Sequence, residues 1–205
     1  SLSHFINNTM MRINLPKALA PGKSFEFSIK WNYKVNDINK DGGRSGLEAF
    51  ADGNNNYTIA QFFPRLAVYN NVEGWQNMQF WGRSEFALEF GDYEVNLTVP
   101  ADHIVDATGV LQNEKDVLSK TQRKRWEKAR KSFENPVMIV TQEEAETAEK
   151  GRATNTKTWK FKAQKVRDFA FATSRKYIWD AMATNVNGKT IMAVSLYPKE
   201  GNPLW

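Results

Sequence analysis

The 205-residue chain contains no cysteine and only two histidines, His4 and His103. The first absence excludes disulfides, thiolate zinc sites and a cysteine nucleophile. The second, with no HExxH or similar pair, leaves no catalytic zinc site that these residues could build by themselves. No apolar run approaches the roughly 20 residues needed to cross a bilayer, and runs such as Ile191–Tyr197 are far shorter, so no transmembrane segment is expected. Gly91, Gly109 and Gly188 stand outside any G-x-G-x-x-G or Walker pattern, and no G-x-S-x-G elbow occurs, so neither nucleotide binding nor serine catalysis finds a motif. The acidic run Glu143, Glu144, Glu146 and Glu149 reads as the solvated face of a helix rather than an acid-base pair. No catalytic residue and no metal ligand is therefore expected in this chain. Its start at Ser1 and its stop at Trp205, directly after a strand-like run, read as an excised or processed piece of something longer.

What is present is an ordinary globular composition, 41% hydrophobic and 25% charged, with a net charge of +5. The excess is local. Lys115, Lys120, Arg123, Lys124, Arg125, Lys128, Arg130 and Lys131 face only Asp116 and Glu127 within 115–131, a balance of +6, so the rest of the chain sums to −1. A basic excess confined to one segment describes a solvated helix face and argues against general nucleic-acid binding.

Hydrophobic periodicity then assigns the elements. From Phe25 to Val35 apolar and polar residues alternate without a miss, the pattern of a half-buried strand. Glu85–Phe90 and Tyr93–Val99 alternate on either side of Gly91-Asp92 and read as a hairpin. Trp159–Ala163 and Phe169–Ala172 read as strands, and Tyr177–Ala183 and Thr190–Leu196 flank Asn187-Gly188, a dipeptide suited to a tight hairpin turn. Helical spacing is confined to the middle. Glu114–Glu134 places Val117, Leu118, Trp126, Ala129 and Phe133 on one inward stripe, leaving Lys124 and Arg125 in solvent, and Thr141 with Glu144 opens a second helix with a capping-box pattern over Thr141–Lys150. The expected fold is all-β, two packed antiparallel sheets in a sandwich or saddle, with a two-helix excursion at about 114–150, in one domain spanning residues 1–205.

The stretch Tyr57–Trp81 is unusually aromatic and keeps neither period. Its blocks Gln61-Phe-Phe-Pro-Arg-Leu-Ala-Val-Tyr69, Gly74-Trp75 and Gly82-Arg83-Ser-Glu85-Phe86 are followed by Glu89-Phe90-Gly91-Asp92-Tyr93, Val99-Pro100-Ala101-Asp102 and Ala107-Thr108-Gly109. With Val166-Arg167-Asp168-Phe169-Ala170-Phe171-Ala172 and Ser195-Leu196-Tyr197-Pro198, this ordered series resembles the amino-terminal β domain of aminopeptidase N-like zinc metallopeptidases, the gluzincins. The likeness runs from about Met10 to Trp205, is nearest to the large bacterial members, and begins late enough that the first strands of the family domain can be missing.

The resemblance implies that zinc, its ligands and the general base belong to a downstream catalytic domain of the same polypeptide, absent from this chain, and that the chain holds no cofactor of its own. It implies a non-catalytic domain that walls the substrate cleft for a peptide, with Gln61 as the substrate-binding residue. Phe62, Phe63, Tyr69, Trp75 and Trp81 are then expected at the domain interface. Asn70-Asn71 departs from the acidic residues usual there. An extracytoplasmic location, periplasm or cell surface, would follow from the likeness to large bacterial members. The alternative is a free-standing β-sandwich module using Tyr69, Trp75 and Trp81 as a stacking platform for peptide or carbohydrate.

Overall fold

A computed structural model describes residues 2–82 and 87–203. In chain order its elements are β1 (His4–Asn7), β2 (Met10–Ile13), α1 (Ile38–Asp41), β3 (Gly46–Ala49), β4 (Asn55–Ile59), β5 (Tyr69–Asn70), β6 (Gly74–Trp75), β7 (Gly91–Pro100), β8 (Ile104–Ala107) and β9 (Val110–Leu111). There follow α2 (Glu114–Val117), α3 (Lys120–Ala129), β10 (Val137–Val140), α4 (Gln142–Glu149), β11 (Thr156–Val166), β12 (Phe171–Ser174), β13 (Ile178–Val186), β14 (Lys189–Tyr197) and a 3₁₀ turn, Lys199–Gly201. The fold is all-β in class, with antiparallel sheets in a sandwich-like arrangement and a helical excursion between strands, as the sequence pattern predicts. Among the described residues no helix is long and apolar enough to cross a membrane.

The chain forms two compact units, residues 1–34 with 63–90, and residues 35–62 with 91–205. The first carries two short ladders, β1 with β2 and β5 with β6. The second carries a four-stranded sheet, β3-β4-β12-β8, and two three-stranded sheets, β7-β11-β9 and β10-β13-β14.

Strand alternation explains the core of the second unit. On β11 Trp159, Phe161 and Ala163 are buried while Lys160 and Lys162 point out. Their cross-strand partners on β7 are Leu97, Val95 and Tyr93, so one face of the pair is continuously apolar. Burying each large side chain contributes about 1.5–3 kcal/mol. On β13 Ile178, Trp179, Ala181 and Ala183 are buried. The β13–β14 hairpin closes at Val186 opposite Lys189, with Asn187 at φ 52° and Gly188 at φ 77°, the left-handed pair that a tight primed turn requires. Gly109, between β8 and β9, has φ 97° and lies so close to the Lys162 carbonyl that a Cβ would collide with it.

Four expectations are corrected. Residues 24–36 form no ladder: Phe25 and Phe27 stack at 6.1 Å on one side, but alternation fixes which side chains share a face, not which strand pairs with them. Residues 87–90 are not strand either, and Glu85 and Phe86 lie outside the described residues. Gly91-Asp92 is no turn; β7 runs through both residues and pairs with β11, where a bulge at Lys165 (φ 53°) lets the Asp92 carboxylate accept from the Lys165 N–H at 2.8 Å.

The third correction concerns the long helix 114–134, which breaks at Leu118, whose backbone is extended. Ser119 restarts it through a reciprocal capping box with Gln122, at 3.1 and 2.8 Å. Because α3 ends at Ala129, Phe133 lies past its end and is 52% exposed rather than packed inward. Trp126 is half-buried, its ring against Trp179 at 5.2 Å and its Nε1–H donating to Glu114 at 3.2 Å. The fourth is Arg125, which is not solvated: it donates to the Ile139 carbonyl at 3.0 Å and pairs with Glu144 at 2.6 Å. Thr141 and Glu144 do form the expected capping box of α4.

Candidate functional site

The densest polar arrangement lies in the second unit around Lys176, in the link between β12 and β13. Its ammonium is wholly buried and sits 2.6 Å from Asp52, 2.9 Å from Glu149 and 2.8 Å from Glu200. It also lies 4.9 Å from the centre of the Phe50 ring. Asp52 is presented by the turn between β3 and β4, where its carboxylate accepts from the N–H and the side-chain amide of Asn54, both at 2.9 Å. Asn54, itself buried, also donates to the Glu149 carbonyl at 3.2 Å, which ties that turn to the end of α4. Glu149 closes α4, and its second oxygen accepts from Lys199 at 2.9 Å. Beside it Arg175 forks onto Asp102 at 3.0 and 3.3 Å and reaches Asn54 at 3.1 Å.

Burial alone would drive the Lys176 pKa down, but three carboxylates more than offset it and hold the ammonium above its ordinary value. Burial likewise disfavours the charged forms of Asp52 and Glu149, and their lysine contacts more than offset it, so both titrate below the usual range. A lysine held so firmly protonated is neither a base nor a nucleophile. The three carboxylate oxygens lie within 4.8 Å of one another and the cation they hold is Lys176 itself. An oxygen-only set also differs from the His and Cys sets of structural zinc. An open depression of about 540 Å³ adjoins the cluster, lined by Asp52, Glu146, Glu149, Lys150, Arg152 and Lys199.

The two histidines lie in different surroundings. His4 is exposed and bonds the Leu2 carbonyl at 3.1 Å. His103 is buried, its Nδ1 at 3.1 Å from the buried Thr173 hydroxyl; burial and the Arg175 charge push its pKa down to about 4, so it is neutral at pH 7. On β8, Asp106 is pushed up to about 6 by burial.

The residues singled out by the aromatic segment fall in both units. Gln61 is exposed at φ 53°, and Phe62 meets Phe171 edge-on at 5.3 Å, both in the second unit. In the first unit Phe63 is half-buried with the Arg65 guanidinium 5.9 Å from its ring centre. Tyr69 and Trp75 face each other across the β5–β6 ladder, edge-on at 5.3 Å, and remain 60% and 56% exposed; Trp81 is 79% exposed. Of the predicted interface residues, this ladder brings Tyr69 and Trp75 together. The Lys176 cluster had no sequence motif, because its members come from four separate elements. Its one local signal is a lysine set directly against the apolar run Tyr177-Ile178-Trp179, a place where a charge needs a partner.

No protein-family model, no curated protein and no solved structure matches the chain.

Proposed function

We propose that this chain is the non-catalytic amino-terminal β domain of an aminopeptidase N-like zinc metallopeptidase, walling the substrate cleft and supporting a downstream catalytic domain in peptide hydrolysis. The observation that carries this reading is the ordered series of sequence blocks from Gln61 to Pro198, in the order the family places them. The β-rich architecture is compatible with it. The exposure of Tyr69, Trp75 and Trp81 supports an apolar surface that another domain would cover, since large aromatics are enriched at such contacts. In the full polypeptide Gln61 would touch the bound peptide, and zinc held by the catalytic domain would supply the activated water.

Two measurements test this. The isolated chain, dialysed and analysed for metal, should hold no stoichiometric zinc and hydrolyse no amino-acid anilide; one tightly held zinc per chain defeats the reading. The encoding gene, read past the Trp205 codon, should specify an HExxH motif, and Gln61→Ala in that full protein should raise KM for a peptide with kcat little changed. The exposed Tyr69–Trp75 pair also favours a second reading, a free-standing module that stacks a peptide or sugar on these rings. Saturable quenching of tryptophan fluorescence by oligosaccharide, abolished by Trp75→Ala in the isolated chain, would decide for it.

A further inference from the structure

We propose that the Lys176 cluster is an ionic clasp: it locks the turn Lys199–Gly201 onto the second unit, and it can open without unfolding the sheets. The turn has no buried residue, and its backbone hydrogen bonds are local, from Gly201 to Pro198 and from Asn202 to Lys199. What fastens it to the body is charge of both signs. Glu200 reaches Lys176 at 2.8 Å, and its neighbour Lys199 reaches Glu149 at 2.9 Å and Glu146 at 3.9 Å. An acid and a base in adjacent positions thus dock on a base and an acid of the body, a pairing that fixes orientation as well as position.

Burial differs across the clasp. Lys176 and Glu149 have side chains 0% and 8% exposed, whereas Glu200 and Lys199 of the turn are 38% and 36% exposed, and Asp52 of the body is 39% exposed. The outer pairs are therefore screened by water and salt, and individually weak. When Glu200 leaves, Lys176 keeps Asp52, Glu149 and the Phe50 ring, so the buried charge is not stranded. The charged groups around the clasp are Asp52 on the β3–β4 turn, Glu146, Glu149 and Lys150 on α4 and its end, Arg152 beyond it, and Arg175 paired with Asp102. Glu149, the acceptor for Lys199, titrates below the ordinary carboxylate range because of its lysine contacts, so acid releases that half of the clasp only below the usual carboxylate range. Lys176 titrates above its ordinary value, so alkali releases it only beyond the usual lysine range. Closed, the clasp sets the direction in which the chain leaves β14; open, that direction is free. This device does not depend on the role proposed for the domain.

The test is ¹⁵N relaxation on the whole chain at pH 7, comparing wild type with Glu200→Gln and with Lys199→Ala/Glu200→Gln. Backbone order parameters at 199–202 should fall from about 0.85 toward about 0.6 or below in the double variant, with a smaller fall in the single one, while β11 and β13 keep theirs. Wild type in 1 M salt should move the same way. Unchanged order at 199–202 overturns the proposal. So does a parallel loss in β11 and β13, which would make the cluster a support of the whole unit rather than a clasp.

Discussion

The two units use similar residues to opposite ends. In the second, Trp159, Phe161 and Trp179 are each at most 3% exposed, on strands up to eleven residues long with neighbours in register. In the first, Phe5, Phe27, Trp31, Tyr69 and Trp81 are between 46% and 79% exposed, and the ladders are two to four residues long. Among the described residues Val68 is the one apolar residue of the first unit that is fully buried. Aromatic content is thus no measure of core. A ring stabilises the fold where its neighbours cover it from solvent, as the paired strands cover Trp159 and as Tyr93 meets the loop residue Phe169 at 6.1 Å.

The comparison breaks most directly on matched truncations. Trp159→Ala removes a side chain that is 1% exposed at the centre of the β7–β11 face, and should cost about 3–5 kcal/mol in urea unfolding. Trp81→Ala, at 79% exposure, should change stability by no more than about 0.5 kcal/mol. Equal losses at the two positions would mean that the first unit has a core of its own.

The second unit should also carry a pH dependence made of two opposed parts. An unfolded histidine titrates near 6.5, while folded His103 titrates at about 4, so between these values the unfolded chain binds more protons and stability falls as pH drops. Asp106 has the reverse sign: folded it titrates at about 6, unfolded near 3.9, so stability falls as pH rises through that window. The two groups lie on or beside β8 and largely mask each other between pH 4 and 6. Urea unfolding at pH 4.5, 5.5 and 7 should show His103→Gln gaining relative stability at the acid end, and Asp106→Asn losing it. A flat profile in both variants would show that neither group is as desolvated as its position in the sheet implies.

How much of this was legible in the sequence follows from the range over which each feature is determined. Alternation and turn chemistry are local, so β7, β11, β13, β14 and the Asn187-Gly188 turn were readable, as was the Thr141 cap of α4. Pairing is not local. Nothing in Phe25–Val35 says which strand should meet it, and nothing in Tyr93–Val99 says that its partner is Thr156–Val166 rather than the preceding run. Ser119 was a missed local signal, since Ser119 and Gln122 form the same capping pattern as Thr141 and Glu144. The Lys176 cage was beyond reach because a carboxylate from the β3–β4 turn, one from α4 and one from the last turn meet only once the sheets are paired.

The smallest expected effect brings the same contrast down to one helix. Lys124 and Arg125 are adjacent, carry the same charge and read alike in the sequence, yet α3 sends them to different surroundings. Lys124 is exposed, and Lys124→Ser should leave stability within about 0.5 kcal/mol. Arg125 spans from α3 to β10 and α4, donating to the Ile139 carbonyl and pairing with Glu144, the N3 residue of the α4 capping box. Glu144 is 44% exposed, so water screens the ion pair, and what Arg125→Ser loses is mainly the charge-assisted hydrogen bond to a carbonyl that is left without this donor. A cost of about 1 kcal/mol is expected, reduced only slightly by 1 M salt because the Ile139 bond is not an ion pair. Equal effects of the two substitutions would return Arg125 to the solvated face, and a loss abolished by salt would assign its contribution to Glu144 alone.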